Sequence, residues 1–275
     1  MKLLHPFLCL LVISAILLFS SCSGLSNGQI ADRAEDTETE GGMDLDGALY
    51  FDGRRYTYTG EPSDICVKDD VLTIKRSGVY LLSGSLTQGR IAVDCVGEVC
   101  LVLENFEASS AYGAVVERSD GGSLCLSAVP NTVNILNCTY SERSEELPTS
   151  CVQVSGELCV LGEGRITVSS KGGSGLVCSD LRILGGDLVI GCAEYGMFAK
   201  NCIYMTDGSV TVSHARVGMY AFGGAYSKGD ISLLGGRYTA VCKEIGIFAE
   251  GLLTLSEGIS DIRAPLEIRE GVEEN

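Results

Sequence analysis

Three aromatic residues, Phe198, Tyr220 and Phe248, stand 22 and 28 residues apart in matching contexts, Met-Phe-Ala, Met-Tyr-Ala and Ile-Phe-Ala. Sugar rings stack on aromatic faces, so a row of such side chains points to a glycan platform. Tyr195, Phe222 and Tyr226 are placed to extend it. The same rings also have a structural reading, packed under residues 222–229 or stacked on one another. Glu194, Arg216 and Glu244 keep the same beat a few residues earlier. Alternating charges on neighbouring rungs of a ladder attract, which makes them an ion-pair row. Cys192, His214 and Cys242 share a third recurring slot. A linear row is not a tetrahedral zinc site and no fourth ligand is evident, so they read as inward filling.

Catalytic chemistry is harder to place. His214 is the only histidine outside the leader, which removes most histidine-based acid–base schemes. Asp180, Asp187, Glu194 and Glu250 qualify for hydrolase chemistry by type alone, since two carboxylates facing one groove are needed. Lys171, Lys200, Arg216 and Lys243 lie near one another in the repeat frame, but no acidic cluster accompanies them. No catalytic residue is assigned.

The element that must position these residues is a repeat. Aligning residues 157–255 on Gly164, Gly186, Gly208, Gly236 and Gly258 gives steps of 22, 22, 28 and 22 residues. The long step contains an insertion, residues 222–229. A second glycine series follows at Gly175, Gly196, Gly218 and Gly246. Between the glycines apolar residues alternate with polar ones, the signature of half-buried strands. The expected inward pairs before the first glycine are Cys159/Leu161, Leu181/Ile183, Ile203/Met205, Ile231/Leu233 and Leu253/Leu255. Ile166/Val168, Leu188/Ile190, Val210/Val212 and Tyr238/Ala240 follow it; Leu176/Cys178, Met197/Ala199, Met219/Ala221 and Ile247/Ala249 follow the second glycine. Three short strands per 22-residue coil predict an all-β chain folded as a parallel β-helix. Coils in such a stack lie about 4.8 Å apart, so equivalent side chains form ladders.

The chain has 275 residues, 35 glycines, 5 prolines, no tryptophan and a formal charge of −16. That charge argues against nucleic acid as a partner, because phosphate-binding surfaces cluster Lys and Arg. Thirteen cysteines are present, and Cys159, Cys178, Cys192 and Cys242 are expected as buried thiols on inward positions. Cys95 and Cys100, with four residues between them, form a loose candidate for a bridge or a metal site. Residues 1–21 read as a secretory signal peptide, with Lys2 before the apolar run Leu8 to Phe19. Phe19-Ser20-Ser21-Cys22 resembles a bacterial lipobox, making Cys22 the expected lipidated N-terminus, with an ordinary cleaved signal or a single membrane anchor as alternatives. An acidic flexible linker is expected over 22–60, the β-helix over 61–266 and an acidic tail over 267–275. The implied location is the bacterial cell surface, secreted and held to the membrane by the lipid alone.

The run Ser77-Gly78-Val79-Tyr80-Leu81-Leu82-Ser83-Gly84-Ser85-Leu86, with Gly89-Arg90-Ile91-Ala92-Val93 after it, is similar to the opening of a bacterial surface family of carbohydrate-binding domain-containing proteins. Leu181-Arg182-Ile183-Leu184-Gly185-Gly186 and Tyr195-Gly196-Met197-Phe198-Ala199-Lys200 resemble that family's repeated unit. The resemblance spans roughly residues 64–255 and implies a right-handed, pectate-lyase-like parallel β-helix that binds polysaccharide or cell-wall glycan, of the plant type such as cellulose or pectin-like acids, together with calcium. At the family's acidic positions this chain keeps only Glu194 and Glu244, the weak metal candidates. Calcium takes six to eight oxygens, and an arginine stands between these two carboxylates. The expected function is a non-catalytic polysaccharide-binding lipoprotein. The alternatives are a structural or protein-interaction solenoid with a degenerate sugar site, and a polysaccharide lyase or hydrolase.

Overall fold

Alternating apolar side chains on strands this short cannot bury themselves within one hairpin, so they are satisfied by stacking coil upon coil. The computed structural model describes residues 44–139, 149–224 and 227–270. It is an all-β solenoid of about 7 turns with no α-helix among the described residues. Each turn runs through three walls in the same order.

Wall I includes Leu124–Ala128, Glu157–Gly162, Asp230–Leu233 and Leu253–Leu255. Wall II includes Val133–Cys138, Arg165–Ser170, Arg237–Val241 and Ser260–Arg263. Wall III includes Arg90–Val93, Ser150–Val154, Val217–Ala221, Ile245–Ala249 and Leu266–Glu270. Two long strands, Ser174–Cys192 and Tyr195–Ser213, bend through walls III, I and II without interruption. Pairing between coils is parallel.

The core is made of straight rows. Leu181, Ile203, Ile231 and Leu253 stack on wall I. Leu176, Met197, Met219 and Ile247 stack on wall III, all but fully buried. A buried aliphatic side chain of this size stabilises the fold by about 1.5–3 kcal/mol. Glycine serves the stack in two ways. Gly186, Gly208, Gly236 and Gly258 have φ of 84°, 88°, 78° and 72°, a left-handed turn that a Cβ would strain. Gly196 is instead needed for close approach, because a Cβ there would come within 2.6 Å of the Gly218 carbonyl oxygen.

Four expectations change in detail. On wall I the inward pair is Leu158/Val160, which are in register with Leu181/Ile183, so Cys159 and Leu161 face the other way. The step across this pair is one residue longer than the step on wall II, where Ile166 meets Leu188. Cys178, Cys192 and Cys242 do join the core, while Cys159 lines up outside it with Cys125 and Cys100. The Cys100 sulfur lies 3.1 Å from Cys125, so its neighbour is the next coil rather than Cys95. His214 is exposed: a left-handed φ of 64° turns it out of the stack, and Ala215 takes the interior. No disulfide joins any two of the described cysteines.

The stack also reaches further than 61–266. Gly47–Gly53 pairs in parallel with the coil above it, and Arg55–Gly60 turns back antiparallel on it as a hairpin. Leu49 and Phe51 are buried core residues, which is why a segment expected as linker is ordered. A second hairpin, Ile65–Lys68 with Val71–Ile74, turns through Asp69 and Asp70, both left-handed. At this end the described stack therefore finishes in antiparallel hairpin strands rather than in a further parallel coil. At the other end Leu266–Glu270 pairs with Ile245–Ala249, carrying the last coil into the expected tail. Cys22, the leader and Tyr226 lie outside the described residues.

Candidate functional site

The outer face of wall III holds the aromatic strip. Val177, Phe198, Tyr220 and Phe248 are in register on consecutive coils, as the spacing required. Tyr195 joins them at 5.4 Å from Phe198 and 5.6 Å from Tyr220, centroid to centroid. Phe222, the first residue of the insertion, lies 6.4 Å from Phe198 and 6.0 Å from Tyr220.

The strip is not flat. Tyr220 and Phe248 lie 4.6 Å apart with planes only 10° from parallel, so each covers a face of the other along the stacking axis. What such a pair turns outward is ring edges. Phe198 stands at 78° to Tyr220, and Phe222 at 90° to it. Phe198 and Phe222 are within 27° of each other. Their faces are therefore turned across the ladder, and Phe222 is 47% exposed. Of the expected residues, Phe198 with Phe222 is suited to stack on a sugar ring, while Tyr220 and Phe248 form the support behind it. The Tyr220 hydroxyl donates to Glu250 Oε1 at 2.6 Å, fixing its ring.

Beside the strip runs the ion-pair row. Arg216 donates from Nε to Glu194 at 3.1 Å, from Nη1 to Glu244 at 3.0 Å and from Nη2 to the Tyr195 hydroxyl at 2.7 Å. Its guanidinium carbon also lies 4.9 Å from the Tyr195 ring centre. Burial pulls the arginine down, but its hydrogen bonds to Glu194 and Glu244 outweigh that and hold it above its ordinary value. Both weak metal candidates thus already accept from one cation. Two carboxylates on separate coils with a guanidinium between them do not fit a calcium site. Among the described residues no group of three His, Cys, Asp or Glu side chains could hold a metal ion.

A further row lies at the corner between walls III and I. Glu157, Asp180, Cys202 and Asp230 are in register on successive coils. Burial, then Asp180 and Glu98, push the Glu157 carboxyl up to about 7. Asn201 Nδ2 donates to Asp180 at 2.9 Å and the Cys202 thiol donates to it at 3.2 Å. Ser227 Oγ donates to Asn201 Oδ1 at 3.0 Å, and Asp230 accepts from the Leu252 amide at 2.7 Å. The row ties the end of the insertion to the stack. Glu157 was missed because aligning Cys159 with Leu181 set it opposite Ser179; aligning Leu158 with Leu181 brings it to Asp180.

The other carboxylates named for hydrolase chemistry are engaged too: Asp187 with Arg165 at 2.6 Å, Glu194 with Arg216, and Glu250 with Tyr220. The sequence candidates therefore separate into stacking rings, an ion-pair row and structural anchors.

Comparison with known proteins agrees with this architecture. A family model for carbohydrate-binding domain-containing proteins matches residues 68–271. A curated relative of that description, from Acetivibrio thermocellus, is 22% identical over 155 residues, 54% of this chain and 54% of the relative. The chain spans about half the length of that relative. A solved structure of a polysaccharide lyase-like protein from C. thermocellum, as a gadolinium derivative, superposes with a TM-score of 0.69 and 18% identity. The match covers 84% of this chain and 98% of that one, and at such identity it is a likeness of fold.

Proposed function

Because the chain belongs to the family of carbohydrate-binding domain-containing proteins, we propose that it holds a neutral polysaccharide against wall III without cleaving it. The observation that carries this reading is the pair Phe198 and Phe222, whose faces are turned away from the Tyr220–Phe248 stack. A pyranose has an apolar face and a polar rim. Phe198 and Phe222 suit the face, while Glu250 and the Glu194–Arg216–Glu244 row offer acceptors and donors beside it.

Neutral rather than acidic polymer follows from charge. The chain carries −16 formally, and the one arginine in the strip is already shared by two carboxylates. A polyuronate brought to this wall meets a chain of net negative charge, and Arg216 is already held by Glu194 and Glu244. Binding without cleavage rests on the carboxylates named for hydrolase chemistry, Asp180, Asp187, Glu194 and Glu250, each of which is engaged in a structural bond. The leader and Cys22 support a lipid-anchored protein at the bacterial surface.

Retention on insoluble neutral glucan and xylan, compared with polygalacturonate, tests the reading when run with and without chelator. Retention on a neutral polymer, insensitive to chelator and without released products, is expected. Calcium-dependent retention on polygalacturonate alone would contradict it, as would release of unsaturated or reducing ends. Failure to retain on any polymer would favour a structural envelope solenoid, for which the face-to-face Tyr220–Phe248 stack would be stabilisation only.

A further inference from the structure

The two hairpins that close the first coil leave a shallow groove where they meet the turn from wall II to wall III. Its floor is apolar: Phe51, Leu72 and Leu86 are 2%, 4% and 8% exposed and belong to the core. One side is the ring of Tyr56, 42% exposed and 6.5 Å from the Phe51 ring. The rim is polar and held in place. Arg54 donates from Nη2 to Gln88 Oε1 at 3.0 Å and lies 3.8 Å from Asp70. Gln88 has a left-handed φ of 56°, unusual for a residue that is neither Gly nor Asx, and its carboxamide oxygen accepts from Arg54.

We propose that this groove is a second saccharide site, taking one or two sugar units of a neutral glycan end. An aromatic wall and apolar floor match the C–H face of a pyranose. Arg54, Asp70 and Gln88 supply the donors and acceptors that its hydroxyls require. Since Arg54 is offset by Asp70, the rim adds no net charge that would call for an anionic sugar. The choice of a sugar rests on the function proposed for wall III, but the groove itself is separate. It lies on the first coil, whereas Phe198 and Phe222 lie several coils away on a rigid stack. Two sites on one rigid body convert modest affinities into stronger retention on a polymer.

Calorimetric titration of the full chain with soluble neutral hexasaccharides of glucose, xylose and mannose tests the proposal. Two equivalents bound are expected, with Tyr56→Ala and, separately, Arg54→Ala weakening one of them at least tenfold. The double variant Phe198→Ala/Phe222→Ala is expected to remove only the other. A single equivalent untouched by Tyr56→Ala and Arg54→Ala would overturn the groove and leave wall III standing. A single equivalent lost in Tyr56→Ala yet unchanged in the wall III variant would keep the groove and overturn the wall. Absence of binding by every hexasaccharide would overturn both.

Discussion

Glu157 is a carboxyl whose surroundings move its titration toward neutral pH. Burial favours its neutral form, and Asp180 and Glu98 add like charge, so its carboxyl is pushed from 4.5 to about 7. The sign for stability follows from proton binding. Between about pH 4.5 and 7 the folded chain keeps a proton that the unfolded chain has released, so stability falls as pH rises through that window. Glu157 retains some contact with water, and screening leaves an effect on the order of 1 kcal/mol. Urea midpoints measured from pH 5 to 8 should therefore decline for the natural chain and decline less for Glu157→Gln. Equal slopes in the two would show that another group controls the dependence. At this scale the sequence is least transparent. Glu194, Arg216 and Glu244 could be matched by spacing, because no residue is gained or lost between their rungs except the insertion. Glu157 could not, since a single extra residue below Gly164 shifts its partner. Nor could the ring planes of Tyr220 and Phe248 be read from their positions, because a ladder sets where side chains start and not how their χ2 angles turn.

Strands and turns were far more legible, because the repeat shows each element several times. Twelve of the thirteen inward pairs fall as the alternation placed them; only Cys159/Leu161 moved, to Leu158/Val160. The end coils were harder. Leu49 and Phe51 alternate properly, but over too few residues to reveal a coil beside an acidic stretch. Pro265 likewise hides the last turn, although Leu266–Glu270 pairs with wall III after it. The two glycine series explain why the period holds so strictly. A Cβ on Gly218 would run into the Gly246 carbonyl and the Tyr238 hydroxyl, both buried and fixed. Gly218→Ala should thus cost about 1–3 kcal/mol through overpacking. Gly191→Ala is the control within the same stack: its Cβ would meet nothing closer than Ser213 Oγ at 3.8 Å, so it should be near neutral. Thermal melts of the two variants decide this. Equal losses would mean that coil spacing relaxes more freely than the rows suggest.

For the molecule as a whole, the solenoid turns a sequence beat into a binding face. One residue per coil becomes a row about 4.8 Å in pitch. The insertion at residues 222–229 breaks that beat once, and its first residue, Phe222, follows Ala221 off the wall III strand and lies beside Phe198. Ser227, Asn201 and Asp180 then hold the end of the insertion against the stack. The wall and the N-terminal groove stand on the same rigid scaffold, so loss at either site should show most on an extended polymer.

The measurement closest to the central claim compares three versions of the chain on one neutral polysaccharide: the natural sequence, Phe198→Ala/Phe222→Ala, and Phe248→Leu. If sugar rings lie on the faces turned across the ladder, the double variant loses at least tenfold in affinity while Phe248→Leu stays within about twofold. Unchanged affinity in the double variant, with folding intact by circular dichroism, would contradict the assignment of wall III as the binding face.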